Sequence, residues 1–168
     1  FHYFQVNFGP WDRLSGNEPF IGEKAKPPGA GFYPEDMTKE EFQRWVRQYP
    51  GDKARLIDLY TIVQREGSGL AAVPYSKQYR EFLDPAAKLL MEAAEAVENK
   101  SLQKFLRSRA RAFLTDDYFE SDIDWMELDS TLEVTIGPYE VYEDALFGYK
   151  AAFEAFVTMN DPAESAKL

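Results

Sequence analysis

Cysteine is absent from this 168-residue chain, which removes disulfides, thiolate metal sites and a cysteine nucleophile together. Histidine is almost absent: His2 is the only one. A zinc enzyme usually needs two or three nitrogen ligands, so these residues alone do not make a complete His-ligated zinc site. No apolar run approaches the ~18 residues of a membrane span, and membrane insertion is not expected. Positive charge is in deficit, 19 Lys and Arg against 29 Asp and Glu, for a formal charge of −10. Such a field repels phosphate backbones and anionic lipid, making nucleic acid and membrane poor partners and amine-bearing ligands better ones. No H-E-x-x-H, G-x-S-x-G, Walker A or G-x-G-x-x-G string occurs. Lack of cysteine suits cytoplasmic and many periplasmic proteins alike; the cytoplasm is the expected location.

Aromatic residues, by contrast, make up 15% of the chain, enough to build a packed core for one domain or a large piece of a bigger one. The opening "FHYFQVNFGP" has neither an initiator Met nor a signal-peptide pattern, so the chain is expected to belong to something longer. Residues 1–35 hold five of the ten glycines and five of the ten prolines, which excludes regular helix and central strand. Phe8, Trp11, Phe20, Phe32 and Tyr33 make this segment too apolar for a solvated tail. It reads as an ordered loop packed on the body.

Residues 36–130 read as helices with a hairpin near 59–74. Thr38 and Glu41 form a capping box, with Met37 and Phe42 as a hydrophobic staple, and Pro50-Gly51 end that helix. The turn string "EGSG" separates strands expected at 59–65 and 69–74; a helix from Asp52 through Tyr60 is the competing reading for its front. Asp84-Pro85 has the form of an N-cap followed by the first helical position, and another helix is expected after Asn99. Residues 131–168 read as a strand in which Leu132, Val134 and Ile136 alternate with polar residues, then a Glu-x-Tyr segment. A C-terminal helix is expected to place Tyr149, Ala152, Phe153 and Phe156 on one face. The fold class is α+β, predominantly helical with a β-hairpin and a small sheet.

Three places could carry chemistry. The run 116–129 holds seven acids in fourteen residues. Calcium takes six to eight oxygens, but Met126 and Glu127 break the EF-hand spacing, and a solvated helix face with N-capping acids is the alternative. In "GPWDRL", Trp11 beside Asp12 and Arg13 could be a ligand platform or an anchor for irregular backbone. In "GPYEVYED", Glu140 and Tyr142 are two apart, so an extended chain points both to one face and Glu143 to the other. A carboxylate and a phenol there could bind an ammonium group and donate to an oxyanion. The alternative is a surface turn with N-capping acids, Glu143 and Asp144 sitting where a helix N-terminus favours negative charge.

The string "IGPYEVYEDALFGYKAAFEAF", with "GPWDRL", "KPPGAGFYPEDMTKEEF" and "AVPYS", resembles the dipeptidyl peptidase III family, and more closely its bacterial Nudix-linked and zinc-hydrolase branch. Members are two-lobed zinc exopeptidases that release dipeptides from peptide N-termini. The resemblance implies that this chain is part of one lobe, with a peptide substrate and a missing C-terminal zinc-binding lobe as partners. It implies that Glu140 holds the substrate α-ammonium, that Tyr142 is catalytic beside the scissile carbonyl, and that Asp144 is structural. The family's H-E-x-x-x-H is absent here, so zinc is expected in the full-length protein and none in this chain. The resemblance thus makes the chain half an active site, unable to hydrolyse alone. The alternative is a non-catalytic peptide-binding or structural acidic domain.

Overall fold

A computed structural model describes residues 1–165 and Lys167. The N-terminal segment contains a short helix α1 (His2–Val6) and two-residue strands β1 (Trp11–Asp12) and β2 (Glu18–Pro19), which pair antiparallel. Helix α2 (Lys39–Gln48) starts where the capping box places it: Thr38 Oγ1 accepts from the Glu41 amide at 3.1 Å. Phe42, four residues on, is buried in the core beside Met37. After a 3-10 turn at Pro50–Asp52 comes the four-residue α3 (Lys53–Leu56), so the helix weighed for Asp52–Tyr60 forms over only its first part.

Strands β3 (Thr61–Glu66) and β4 (Gly69–Pro74) then make the hairpin, in register from Thr61↔Pro74 to Glu66↔Gly69. The two-residue turn Gly67-Ser68 needs a positive φ at its first position, and Gly67 supplies +57°. Next come α4 (Tyr75–Gln78) and α5 (Arg80–Ala96). The expected start at Asp84-Pro85 is corrected, because α5 begins at Arg80 and carries Pro85 inside it. Pro85 lies in the second turn, where it gives up the N–H bond that would reach Glu81 O, while the turn before it still closes, Leu83 N donating to Tyr79 O at 2.8 Å.

Helix α6 (Lys100–Thr115) is capped by Asn99, whose Oδ1 accepts from Leu102 N at 2.9 Å. Leu83, Ala87, Leu90 and Ala94 of α5 and Leu102, Phe105 and Phe113 of α6 recur at helical spacing and bury into one core. The acidic run forms α7 (Phe119–Met126), but as an ion-paired seam more than a solvated face. Asp122 pairs with Arg109 at 2.6 Å and Asp124 with Lys104 at 2.8 Å, and Asp124 is buried.

Strand β5 (Leu132–Glu140) leads through a 3-10 turn at Val141–Glu143 and a loop to β6 (Ala152–Met159); a short α8 (Pro162–Ser165) comes after it. The expected helix over Tyr149 to Phe156 is therefore corrected to a strand. "AAFEAFVTM" satisfies both a 3.6 and a 2 period, and the unpaired polar edge of the nine-residue β5 decides between them. The ladder runs from Leu132↔Met159 to Glu140↔Ala152. These features give an α+β architecture among the described residues, with a helical body and three two-stranded antiparallel sheets, β1–β2, the β3–β4 hairpin and β5–β6.

Candidate functional site

Glu140 is aimed by an irregularity in the β5–β6 ladder. Pro138 pairs with Phe153, yet Glu140 pairs with Ala152, so β5 carries one extra residue between them. Alternation alone would put Glu140 on the same face as Pro138. The bulge moves it to the face of Ala152, Glu154 and Phe156, away from the side on which Phe153 meets the core. Behind the bulge, Tyr139 leans on the buried Arg109, whose guanidinium lies 5.2 to 5.3 Å from the ring centres of Phe105, Tyr118 and Tyr139. A Cβ on Gly137 would lie 2.7 Å from Arg109 Nη1, so glycine is what lets the strand approach that closely.

The Glu-x-Tyr segment is not extended. Val141–Glu143 is a 3-10 turn, which corrects the reading that strand alternation brings Glu140 and Tyr142 together. The turn still places both on one cavity wall, with Tyr142 exposed and Glu140 half-buried. Partial desolvation raises the Tyr142 pKa first, and the nearby Glu140 carboxyl raises it further, so the phenol keeps its proton at neutral pH. Glu143 turns instead toward the N-terminal segment, where Arg13 Nη1 and Lys26 Nζ pair with its two carboxylate oxygens. Burial works against that charge, but the bonds from Lys26 and Arg13 outweigh it and hold the Glu143 pKa below the usual glutamate value.

Asp144 closes the turn. Its Oδ2 accepts from Tyr33 Oη at 2.7 Å and from the amides of Tyr149 and Lys150; its Oδ1 accepts from the amides of Leu146 and Phe147. Burial raises the Tyr33 pKa and the Asp144 bond raises it more. Lys150, fully buried, donates from Nζ to Leu56 O, Asp58 O and Thr61 Oγ1 at 2.7 to 2.8 Å. Burial lowers its pKa to about 8, against the pull of Asp58 and Asp144. The loop after Glu140 is thus bolted to both the N-terminal segment and the start of the hairpin.

The cavity has a volume of about 540 Å³. One wall is β5, β6 and the turn, with Glu140, Tyr142 and Glu154; the other is the N-terminal segment, with Trp11, Arg13 and Lys26. Trp11 and Arg13 of "GPWDRL" therefore line the site while anchoring irregular backbone, Trp11 Nε1 donating to Lys24 O at 2.7 Å. Sequence reasoning missed Glu154. The neighbouring Glu140 carboxyl first, then burial, lift its pKa to about 7. The helical reading of residues 149–156 hid it, and only the β-register places it beside Glu140. Among the described residues neither Glu140 nor Glu154 forms an ion pair, while Arg13 and Lys26 are taken by Glu143. Lys24, the third cation of the lining, is taken by Glu35, so among the described residues Glu140 and Glu154 are the cavity carboxyls without a paired cation.

A larger groove of about 780 Å³ lies between α5 and α6, lined by Lys77, Arg80, Met91 and Leu114 among others. It contains none of the cavity residues just named, and convergence of chemical groups, more than volume, marks a site. Among the described residues no three His, Cys, Asp or Glu side chains are grouped to hold a metal ion.

The family model for peptidase family M49 matches residues 61–168. Nudix hydrolase 3 of Arabidopsis thaliana is 36% identical over 216 residues, covering 99% of this chain and 28% of that protein. The structure of DPP III from Caldithrix abyssi superposes with a TM-score of 0.94 at 56% identity, over 99% of this chain and 32% of that one. The structure of dipeptidyl-peptidase III from Corallococcus sp. strain EGB gives 0.91 at 47% identity with the same coverage. The chain spans 28% to 32% of the length of these relatives.

Proposed function

This chain belongs to peptidase family M49, and on that premise we propose that it forms the substrate-side portion of a zinc-dependent dipeptidyl peptidase. The name and dipeptidyl activity are those of the full relatives; what these residues contribute is recognition of a peptide amino terminus. The observation that carries this reading is the uncompensated carboxyl pair of Glu140 and Glu154 beside the Tyr142 phenol on one cavity wall. An exopeptidase must recognise a free α-ammonium, and a partly desolvated carboxylate does so through a charge-assisted hydrogen bond. Glu140 accepts from that ammonium. Tyr142 retains its proton and can donate to oxygen that gains charge as the scissile carbonyl is attacked.

Zinc, when bound in such a peptidase, polarises the carbonyl and activates water. In this proposal its ligands come from polypeptide other than these residues. The chain's own part is to bind the substrate terminus, orient the first peptide units and donate one hydrogen bond. A cytoplasmic setting goes with the proposal; none of the described helices is long and apolar enough to cross a membrane.

The test is peptide binding to the complete peptidase containing this chain. Glu140→Ala should weaken binding of a free-amino peptide by roughly tenfold or more, in line with loss of a charge-assisted hydrogen bond. Binding of an N-acetylated peptide should be weak already and unchanged by the substitution. Equal affinity of parent and variant for the free-amino peptide would remove the assignment.

A further inference from the structure

The Val141–Glu143 turn is held at its two ends by different means. Glu140 is fixed by the ladder to Ala152, and Asp144 by the bonds that satisfy its two oxygens. Tyr142 between them is 69% exposed and has little packing of its own to set its direction. Its neighbour Glu143 is the one residue of the turn whose side chain is tied to the body. That side chain is 9% exposed, with Lys26 Nζ at 2.6 Å on one oxygen and Arg13 on the other.

The cations are seated in turn. Arg13 Nε donates to Asn7 O at 3.1 Å and the Arg13 amide donates to Asn7 Oδ1 at 2.9 Å, while Asn7, buried, donates to Tyr3 O. Lys26 precedes Pro27-Pro28, which limits the backbone it hangs from. The N-terminal segment has anchors besides this one, Trp11 to Lys24 O and Tyr33 to Asp144, so it does not need Glu143 to stay in place. Between its two fixed ends, the turn has only the Glu143 side chain making such a bond.

We infer that Glu143, gripped by Arg13 and Lys26, is a positioning residue that fixes the turn and thereby directs the Tyr142 phenol over the cavity. This role rests on Tyr142 being the hydrogen-bond donor of the proposed function. A side chain on a short turn with its middle freed can swing by an ångström or more, and misplacement of that order costs between one and two powers of ten in rate. Glu140, fixed in the ladder, should keep its grip on the substrate ammonium.

The experiment is a kinetic cycle in the complete peptidase. Glu143→Gln should lower kcat by roughly tenfold while KM stays within about twofold, and Arg13→Met should do the same. Arg13→Lys, which keeps the charge, should recover most of the loss. Placed on a Tyr142→Phe background, Glu143→Gln should cost nothing more, because the group it directs is already gone. A tenfold loss that persists on that background assigns Glu143 a general structural role and overturns the inference, as does an unchanged kcat in Glu143→Gln alone. If Tyr142→Phe itself leaves kcat intact, the Tyr142 reading fails, a separate result visible in its own arm. Lys26→Met, which retains the Arg13 pair, supplies a milder variant should Glu143→Gln fold poorly; no change in its kcat also counts against the clamp.

Discussion

Glu154 lies on the same face of the β5–β6 ladder as Glu140, because the bulge after Pro138 turns Glu140 to the side of Ala152 and Glu154, and the neighbouring carboxyl lifts the Glu154 pKa to about 7. The consequence for stability has a definite sign. The folded-state pKa of Glu154, about 7, lies above its usual 4.5, so the folded protein binds the proton more tightly than the unfolded chain does. The associated stabilisation is complete below about pH 4.5 and is lost as pH rises through about 7, where two facing carboxylates repel. Glu154→Gln keeps a hydrogen-bonding group without the second charge. Thermal scans should show the variant above the parent by roughly 2–4 °C at pH 8, a value kept small because the pair is partly solvated, and close to it at pH 4.5. Parallel curves across that range would show that the two carboxyls titrate independently.

Much of the fold was legible because local chemistry and tertiary demand agreed. Thr38 caps its helix, Gly67-Ser68 turns its hairpin and Asn99 starts α6, each where residue type alone places it. The errors fall where a string fits two periods or where a partner far along the chain decides. Ala152 to Phe156 could be helix or strand, and only the open edge of β5 settles it. Pro85 resembles a helix start but sits in the second turn of one, since Tyr79 to Leu83 already close a turn before it. At the site, Glu140 and Tyr142 were visible as a pair, but the bulge that aims Glu140 leaves no mark in the residues themselves. Glu154 could have been found only by pairing residue 137 with residue 154. Glu143's bonds to Arg13 and Lys26 cross 130 and 117 positions, beyond the reach of any local pattern.

Tyr142→Phe removes one oxygen and leaves the ring. The residue is exposed, so stability should be unchanged within about 0.5 kcal/mol. If the phenol donates to charge that develops during the reaction, kcat should fall by an amount equivalent to ~2–4 kcal/mol with little change in KM, the pattern of an interaction made chiefly in the transition state. Steady-state kinetics on a dipeptide-releasing substrate separate the two constants. A rise in KM at constant kcat would instead make Tyr142 a binding group.

Gly137→Ala tests how closely β5 approaches Arg109. The added methyl would fall 2.7 Å from Nη1 and 3.1 Å from the Tyr139 ring, and the backbone there has a φ of +155°. Arg109 is fully buried among aromatic rings and paired with Asp122, so it has no room to retreat. Overpacking of this kind costs about 1–3 kcal/mol, and the unusual φ adds to it. A loss of about 3 kcal/mol in urea denaturation is expected. A Gly137→Ala protein as stable as the parent would mean that the strand can shift away from Arg109, and Glu140 with it.

Asp144→Asn probes the other end of the turn. As a carboxylate, Asp144 has two oxygens that only accept, and every neighbour is a donor: Tyr33 Oη and four backbone amides. Asparagine keeps one oxygen and must point its NH₂ at the donors on the other side. With the NH₂ at Oδ1 it meets the Leu146 and Phe147 amides; at Oδ2 it meets Tyr33 Oη and the Tyr149 and Lys150 amides. Either orientation leaves buried donors unpaired, and each such group costs about 1–3 kcal/mol. Because the set is not additive, a total of about 3 kcal/mol is expected, read as a lower urea midpoint with an unchanged m-value. Tyr33 is the one neighbour that can also accept, so with the NH₂ on its side the phenol pairs with it and only the Tyr149 and Lys150 amides are orphaned. Adding Tyr33→Phe removes a partner of residue 144 in either orientation, so the double variant should have a lower urea midpoint than Asp144→Asn alone; equal midpoints would show that Tyr33 makes no bond to the asparagine.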